Sequence, residues 1–222
     1  MTGPNGRRVI AVSVGLPREV EWRGQVVVTS IFKTPVETRV WARQLNLDGD
    51  RQSDLAVHGG VHKAVYAYPS EHYAWWRDWL RATDLPWGAL GENLTTEGLL
   101  EAAVRIGDRL RIGSAEFTIT QPRLPCFKLG IRHGRPGIVK HFEKSCRCGF
   151  YLSVVREGDV GAGDGIEILD RDPGAMTVAE TARLRTSKRP ERELLQRAAA
   201  QAGLSPSWRE HFTKKLLGDT TE

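Results

Sequence analysis

The feature that most constrains this chain is a change of texture at Asp172-Pro173-Gly174. Before it, short runs of β-branched and aromatic residues recur between glycines and turn residues; after it, helix signals take over. Strand-like runs fall at 9–14, 25–32, 37–41, 64–68, 109–112, 116–120, 150–155 and 165–169, and Gly113-Ser114 reads as a hairpin turn. Many short strands leave many edges, which a closed barrel or a sandwich removes or protects. The pattern does not choose between the two. Two helices interrupt the strands, one over 71–80 behind Ser70 and a shorter one over 138–144. The first carries Trp75, Trp76 and Trp79, and the four-residue spacing of Trp75 and Trp79 reads as a core-packing stripe.

Past the boundary the sequence predicts three short helices. Thr177 caps the first, the second lies over 190–201, and the third starts at Ser205-Pro206 and ends at Gly218. Trp208, Phe212 and Leu216 share one face of the third. The expected organisation is a mainly β domain with helices over 1–172, followed by a small three-helix domain over 173–222.

A chain of 222 residues that is 40% hydrophobic can bury a core and is neither disordered nor fibrous. Three cysteines cannot all pair, which points to a reducing compartment. Arg7 and Arg8 precede an apolar run at 9–16, as in a signal peptide, but no small-residue cleavage site follows and the run reads better as a first strand. Nothing approaches the roughly 20 apolar residues of a membrane span. The expectation is a soluble cytoplasmic protein with no membrane partner.

Charge narrows the partners. The whole chain carries +5, yet the window 120–148 holds seven basic residues against Glu143 alone. Such a local field suits an anionic ligand, although a solvated basic face would look the same. The segment 171–222 has ten basic and seven acidic residues, thin for a nucleic-acid module, so no nucleic-acid partner is expected.

Cys126 is the residue most suited to chemistry. It follows a predicted strand in Pro122-Arg123-Leu124-Pro125-Cys126-Phe127-Lys128, on a backbone stiffened by two prolines and flanked by two cations. Cations favour the thiolate, the form that attacks carbon or binds soft metals, whereas an ordinary free cysteine is an inert hydrophobe. Cys146 and Cys148 lack the second cysteine pair that a structural zinc site uses. His58 and His62 stand four apart, but Gly59-Gly60 between them argues against a metal-binding helix. They belong to a turn, where His58 could donate a proton and the glycines could let a ligand approach. Gly91-Glu92-Asn93 is a third polar turn. Phosphate-loop, dinucleotide-binding and serine-hydrolase motifs are all missing.

In order, Gln52-x-Asp54-Leu55-x-Val57-His58-Gly59-Gly60, Lys63-Ala64-Val65-Tyr66, Gly91-Glu92-Asn93, Gly107-Asp108 and Pro122-Arg123-x-Pro125-Cys126 resemble the MOSC domain, named for the C-terminal domain of molybdenum cofactor sulfurases. Gly149-Phe150-Tyr151 through Ala162-Gly163-Asp164 continues the likeness, which is strongest to YiiM-type proteins with a three-α tail. The resemblance implies a β-barrel-like domain that binds molybdenum cofactor (molybdopterin with Mo) and reduces N-hydroxylated compounds such as base analogues, a detoxifying activity. It implies Cys126 as metal ligand and His58 as proton donor, both catalytic. Asp54, His58, Gly59, Gly60, Lys63, Asn93, Arg123 and Lys128 would bind the cofactor. Two departures from the family pattern are His62, where an acidic residue is usual, and the cysteines Cys146 and Cys148. With no flavin, haem or iron–sulfur motif, the electrons would come from a separate reductase, with the tail helices as a docking surface. A homodimer stays open, and so does a non-catalytic carrier of the cofactor, or of sulfur as a Cys126 persulfide.

Overall fold

A computed structural model describes residues 6–53 and 59–218. Eight strands make one mixed sheet: β1 (Arg8–Val14), β4 (Thr34–Val36), β6 (Val65–Pro69), β7 (Leu94–Glu97), β8 (Arg109–Ile112), β9 (Ala115–Pro122), β10 (Phe150–Arg156) and β12 (Ile166–Asp170). Their order across the sheet is β12-β8-β9-β10-β6-β7-β1-β4. β2 (Arg18–Trp22) and β3 (Gln25–Thr29) form a separate hairpin, and β5 (Val40–Ala42) pairs with β11 (Gly158–Val160).

The sheet curls, and its far strand comes back to β1. Arg8 bridges Gly165, the Val9 amide donates to Asp164 O (2.9 Å), and the Ile166 amide donates to Arg7 O (3.0 Å). The seam is a single bridge with flanking bonds rather than a continuous ladder, so the sheet is barrel-like without closing.

Every residue of β6 is buried, as its uninterrupted Val-Tyr-Ala-Tyr run requires at the middle of a covered sheet. β6 and β7 are parallel, and parallel neighbours need a crossover. Helix α1 (Tyr73–Leu80) supplies it, entered through a 3-10 turn at Ser70–His72. Ser70 therefore begins that turn and makes no cap bond to the helix. α1 buries Trp76 completely, and the Trp76 indole donates to the Tyr68 hydroxyl (2.6 Å). Trp75 and Trp79, the expected core stripe, pack against the core from its edge and also hold a histidine. Both are only partly buried and stack on His141 between them, at 4.7 and 4.2 Å between ring centroids.

Two further helices follow β9: α2 (Phe127–His133) and α3 (Ile138–Ser145). The last three are α4 (Val178–Thr186), α5 (Arg192–Ala200) and α6 (Pro206–Leu217). Thr177 caps α4 in a full capping box with Glu180, and Gly218 ends α6 in the left-handed region. Leu184, Leu195, Trp208 and Phe212 join the same apolar core as the sheet. Among the described residues no helix is long and apolar enough to cross a membrane.

Candidate functional site

Antiparallel pairing of β10 with β6 sets Tyr151 opposite Tyr66, with their rings 5.3 Å apart. β9 ends beside them, and the chain leaves it through Arg123, Leu124 and Pro125 to Cys126, the extended residue that starts α2. From the other side come the residues after β3, the turn before β7, and the loop around residues 50–53. Together these walls enclose an open cavity of about 620 Å³. Its lining includes Ser30, Lys33, Asp50, Lys63, Arg123 and Cys126.

The wall is cationic, but its charges are held. Lys33 is buried and paired to Asp50; burial lowers its pKa, while Asp50 opposes the shift. Asp50 also accepts from the Gly15 amide (2.8 Å) and the Asn93 side-chain amide (3.0 Å). Lys128, itself buried, donates to Ser53 Oγ (3.1 Å). Arg123 is buried against the faces of Tyr66 (4.7 Å) and Phe142 (5.0 Å), and its Nη1 donates to the Tyr66 hydroxyl (3.4 Å). Burial works against the Arg123 charge, yet Tyr66, Tyr151 and Cys126 hold its pKa above the ordinary value. Burial also pushes the Tyr66 and Tyr151 hydroxyls up, so both stay protonated donors at neutral pH.

Two features suit an extended polar ligand. Ser30 Oγ is buried on this wall with no hydrogen-bond partner, an arrangement that native folds rarely tolerate without a ligand or water. Gly91 lies at φ +87°, and a Cβ there would stand 2.5 Å from Ile31 Cδ1 and 3.8 Å from Arg123 Nη2. Only glycine leaves that stretch of wall open.

Of the residues expected to bind cofactor, Lys63, Asn93, Arg123, Cys126 and Lys128 line this cavity. Gly59 and Gly60 are not on its wall, and Asp54 and His58 lie outside the described residues. Asn93 is inward-facing: it accepts from the Tyr66 amide (3.1 Å) and gives its amide hydrogens to Ser13 O (3.2 Å) and Asp50. Its part is to join β6, β1 and the Asp50 loop. Glu92 is a structural knot, accepting from Gly88 N (2.9 Å), Leu90 N (3.1 Å), Thr95 Oγ1 (2.9 Å) and the Tyr73 hydroxyl.

The basic window does not act as one field. Arg123 and Lys128 face the cavity, Arg132 donates to Lys33 O (3.2 Å), and Arg135 and Arg147 cover the outer faces of Trp79 and Trp75. Cys146 and Cys148 line a small hollow behind Arg123, Leu124 and Pro125, away from Cys126. Sequence reasoning missed Ser30, Lys33, Asp50 and Tyr151. The first three sit in no recognisable motif; Tyr151, like Tyr66, fell within a quoted segment but was given no role there.

Comparison with known proteins agrees with this architecture. Residues 54–167 match the MOSC domain, and residues 176–218 match the YiiM-like 3-alpha helix domain. YflK, an uncharacterised protein of Bacillus subtilis, is 37% identical over 93% of each chain. A Gibberella moniliformis protein named a reductase is 32% identical over 67% of this chain, which spans 27% of that longer protein. The crystal structure of YiiM from Geobacillus stearothermophilus superposes with a TM-score of 0.79 at 32% identity, covering 95% of this chain and 99% of that one. A strand-rich domain with a polar cleft, followed by three helices with their own matching model, places this chain in the MOSC family among its YiiM-like members.

Proposed function

We propose that the chain is a molybdenum-cofactor-dependent reductase that converts N-hydroxylated compounds to amines, with the Cys126 thiolate as metal ligand. The observation that carries this reading is the company Cys126 keeps: one cavity joins it to Arg123, Lys63 and Lys128 and to the unpartnered Ser30 hydroxyl. Soft sulfur for a metal, cations for a phosphate and a free donor for a heterocycle are what this cofactor asks of a site. When bound, the cofactor supplies the two electrons that break an N–O bond.

The protein's own residues do the rest. Cys126 anchors the metal from a rigid turn, and Arg123 is locked by two aromatic faces so that it meets an anion without reorganising. Lys63 and Lys128 complete the positive wall. Tyr151 is protonated and close to Arg123, suited to donate a hydrogen bond toward the ligand, whereas the Tyr66 hydroxyl donates to Cys148 O (2.8 Å) and accepts from Arg123, holding that side chain in place. In this reading His58 delivers the protons and Asp54 orients it. A separate reductase provides electrons.

Elemental analysis for molybdenum, with pterin fluorescence after oxidation, tests the ligand on protein made in a cofactor-competent host. About one metal per chain in wild type, lost in Cys126→Ser, is the expected result. Equal metal in both would remove Cys126 from the site. Metal and pterin without turnover of any N-hydroxylated substrate by the chemically reduced protein would turn the assignment toward a cofactor carrier.

A further inference from the structure

The strap 146–149 joins α3 to β10 and passes behind the cavity wall. Both its ends turn on left-handed residues, Cys146 (φ +54°) and Gly149 (φ +60°). Glycine is the usual choice at such a helix end, because a Cβ crowds the backbone there. Cys146 is one of three described non-glycine residues at positive φ. A thiol stands where glycine would be easier, which asks for a use of the sulfur.

Cys148 is buried and Cys146 partly exposed, and both line one hollow of about 330 Å³ with Leu124, Pro125 and Phe142. Alone, Cys148 would be an ordinary apolar filler. Geometry joins the two. Residues two apart are separated by at most about 7 Å between Cα atoms, and a disulfide takes roughly 4.4–6.8 Å. The strap is already bent at Cys146, so a bond between the sulfurs asks mainly for a turn of the peptides around Arg147. Among the described residues no third His, Cys, Asp or Glu joins them as a metal ligand.

Those peptides also hold the wall. Arg147 O accepts from the Tyr68 hydroxyl (3.0 Å), and Cys148 O accepts from the Tyr66 hydroxyl (2.8 Å). Tyr66 in turn accepts from Arg123 Nη1 (3.4 Å), and its ring lies under the guanidinium. The Arg123 amide donates to Gly149 O (3.4 Å) at the end of the strap. Arg123 is therefore held by the strap twice, through its side chain and through its main chain.

We propose that Cys146 and Cys148 are an oxidative modification site: hydrogen peroxide closes them into a disulfide, which draws the Cys148 carbonyl from Tyr66 and loosens Arg123 on the cavity wall. Burial pushes the Cys148 thiol well up, so the more exposed Cys146 meets the oxidant. The Cys146 thiolate attacks one peroxide oxygen, the O–O bond breaks, and the other oxygen takes up a proton and leaves as water. The Cys148 sulfur then attacks the sulfenic sulfur, the S–O bond breaks, and hydroxide leaves with the Cys148 proton as a second water. Two thiols give up two electrons and two protons, and the peroxide becomes two waters. The thiol chemistry stands apart from the reductase reading; only its effect on cofactor retention rests on that reading.

The test treats the full chain, without cofactor, with hydrogen peroxide and reads it by intact mass and by tryptic digestion without reductant. Cleavage after Lys144 and Arg147 should yield the peptide 145–147 joined through sulfur to the peptide 148–156, with the intact mass lowered by two hydrogens. Cys126→Ser should form the same link. Cys148→Ser should stop at a Cys146 sulfenic acid that dimedone traps, and Cys146→Ser should give no link. Should Cys148→Ser not fold, Cys148→Ala and Cys146→Ser decide. Hydrogen exchange then reads the wall: peptides containing Tyr66 and Arg123 should exchange about tenfold faster in the oxidised protein and recover when a dithiol reduces it. Oxygen added to Cys126 with no link between the two peptides overturns the site. A link that leaves exchange at Tyr66 and Arg123 unchanged overturns the coupling to the wall. In loaded protein, molybdenum per chain should fall on oxidation of wild type and hold in Cys146→Ser; equal loss in both overturns that consequence. A link and faster exchange in a protein that never binds molybdenum leave the site standing and sink the cofactor reading.

Discussion

The cavity wall and the tail both hold half-buried cations, and they treat them in opposite ways. At the wall three cations have fixed counterparts: Lys33 has Asp50, Lys128 has Ser53, and Arg123 has the faces of Tyr66 and Phe142. In the tail Arg209 and His211 point buried nitrogens at no acceptor, and Arg185 depresses its neighbours. The first arrangement is rigid before any ligand arrives. A preformed wall suits a ligand that stays bound.

The largest effect expected from this contrast is at Asp50. Asp50→Ala would leave Lys33 buried without its acid and cost about 3–5 kcal/mol in urea unfolding, and Lys33→Met added to it should recover much of the loss. No recovery would mean that Asp50 matters for its bonds to Gly15 and Asn93, not for its charge.

Acid comes next. His133 donates to Ala89 O (2.9 Å) from a site where burial first, and the nearby arginines after it, hold its pKa at about 4. The unfolded ring takes a proton near pH 6.5, so the unfolded chain binds more protons between those values. Stability is therefore complete above about pH 6.5 and falls on acidification toward pH 4, by about 2–3 kcal/mol for this residue. His133→Gln should flatten that part of the unfolding profile. If His211→Gln flattened it as much, the two regions would not differ in how firmly they exclude water.

Smaller still is Gly91→Ala, which must place a Cβ at positive φ against Ile31. We expect a loss of about 1–2 kcal/mol and reduced cofactor retention, measured as molybdenum per chain. Unchanged retention would show that this stretch of wall does not touch the ligand. Thr177→Ala removes one capping box and should cost about 1 kcal/mol, with cofactor content unaffected. A fall in both would couple the tail to the cavity more tightly than Thr120 alone implies, whose hydroxyl donates to His62 O (2.7 Å) and whose carbonyl accepts from the Ser205 amide (3.1 Å).

Much of the scaffold was legible beforehand. The run 109–112 is β8 residue for residue, and Thr177, Pro206 and Gly218 mark helix ends where their backbone preferences put them. Other elements were not. β3 begins the run 25–32 that reads as a strand, but its partner β2 was not legible, because Arg18-Glu19-Val20-Glu21-Trp22 alternates too little apolar surface to announce itself. β7 starts directly after Glu92 and Asn93, whose polar character reads as turn, yet both are buried to hold the strand. α2 contains Gly130 and follows Pro125-Cys126, so local propensity argues against the helix that packing imposes.

The amino-acid order by itself determined that strands precede helices, which residues bound the tail helices, and that Cys126 stands in a proline-stiffened cationic stretch. These properties are written in neighbours along the chain, through periodicity, caps and proline. Only the tertiary structure decided that Lys33 and Asp50 would pair beside Cys126, that Tyr66 and Tyr151 would face each other, and that His62 would meet the tail. Residues far apart in sequence come together according to register and loop closure, and no local propensity encodes where those bring a side chain.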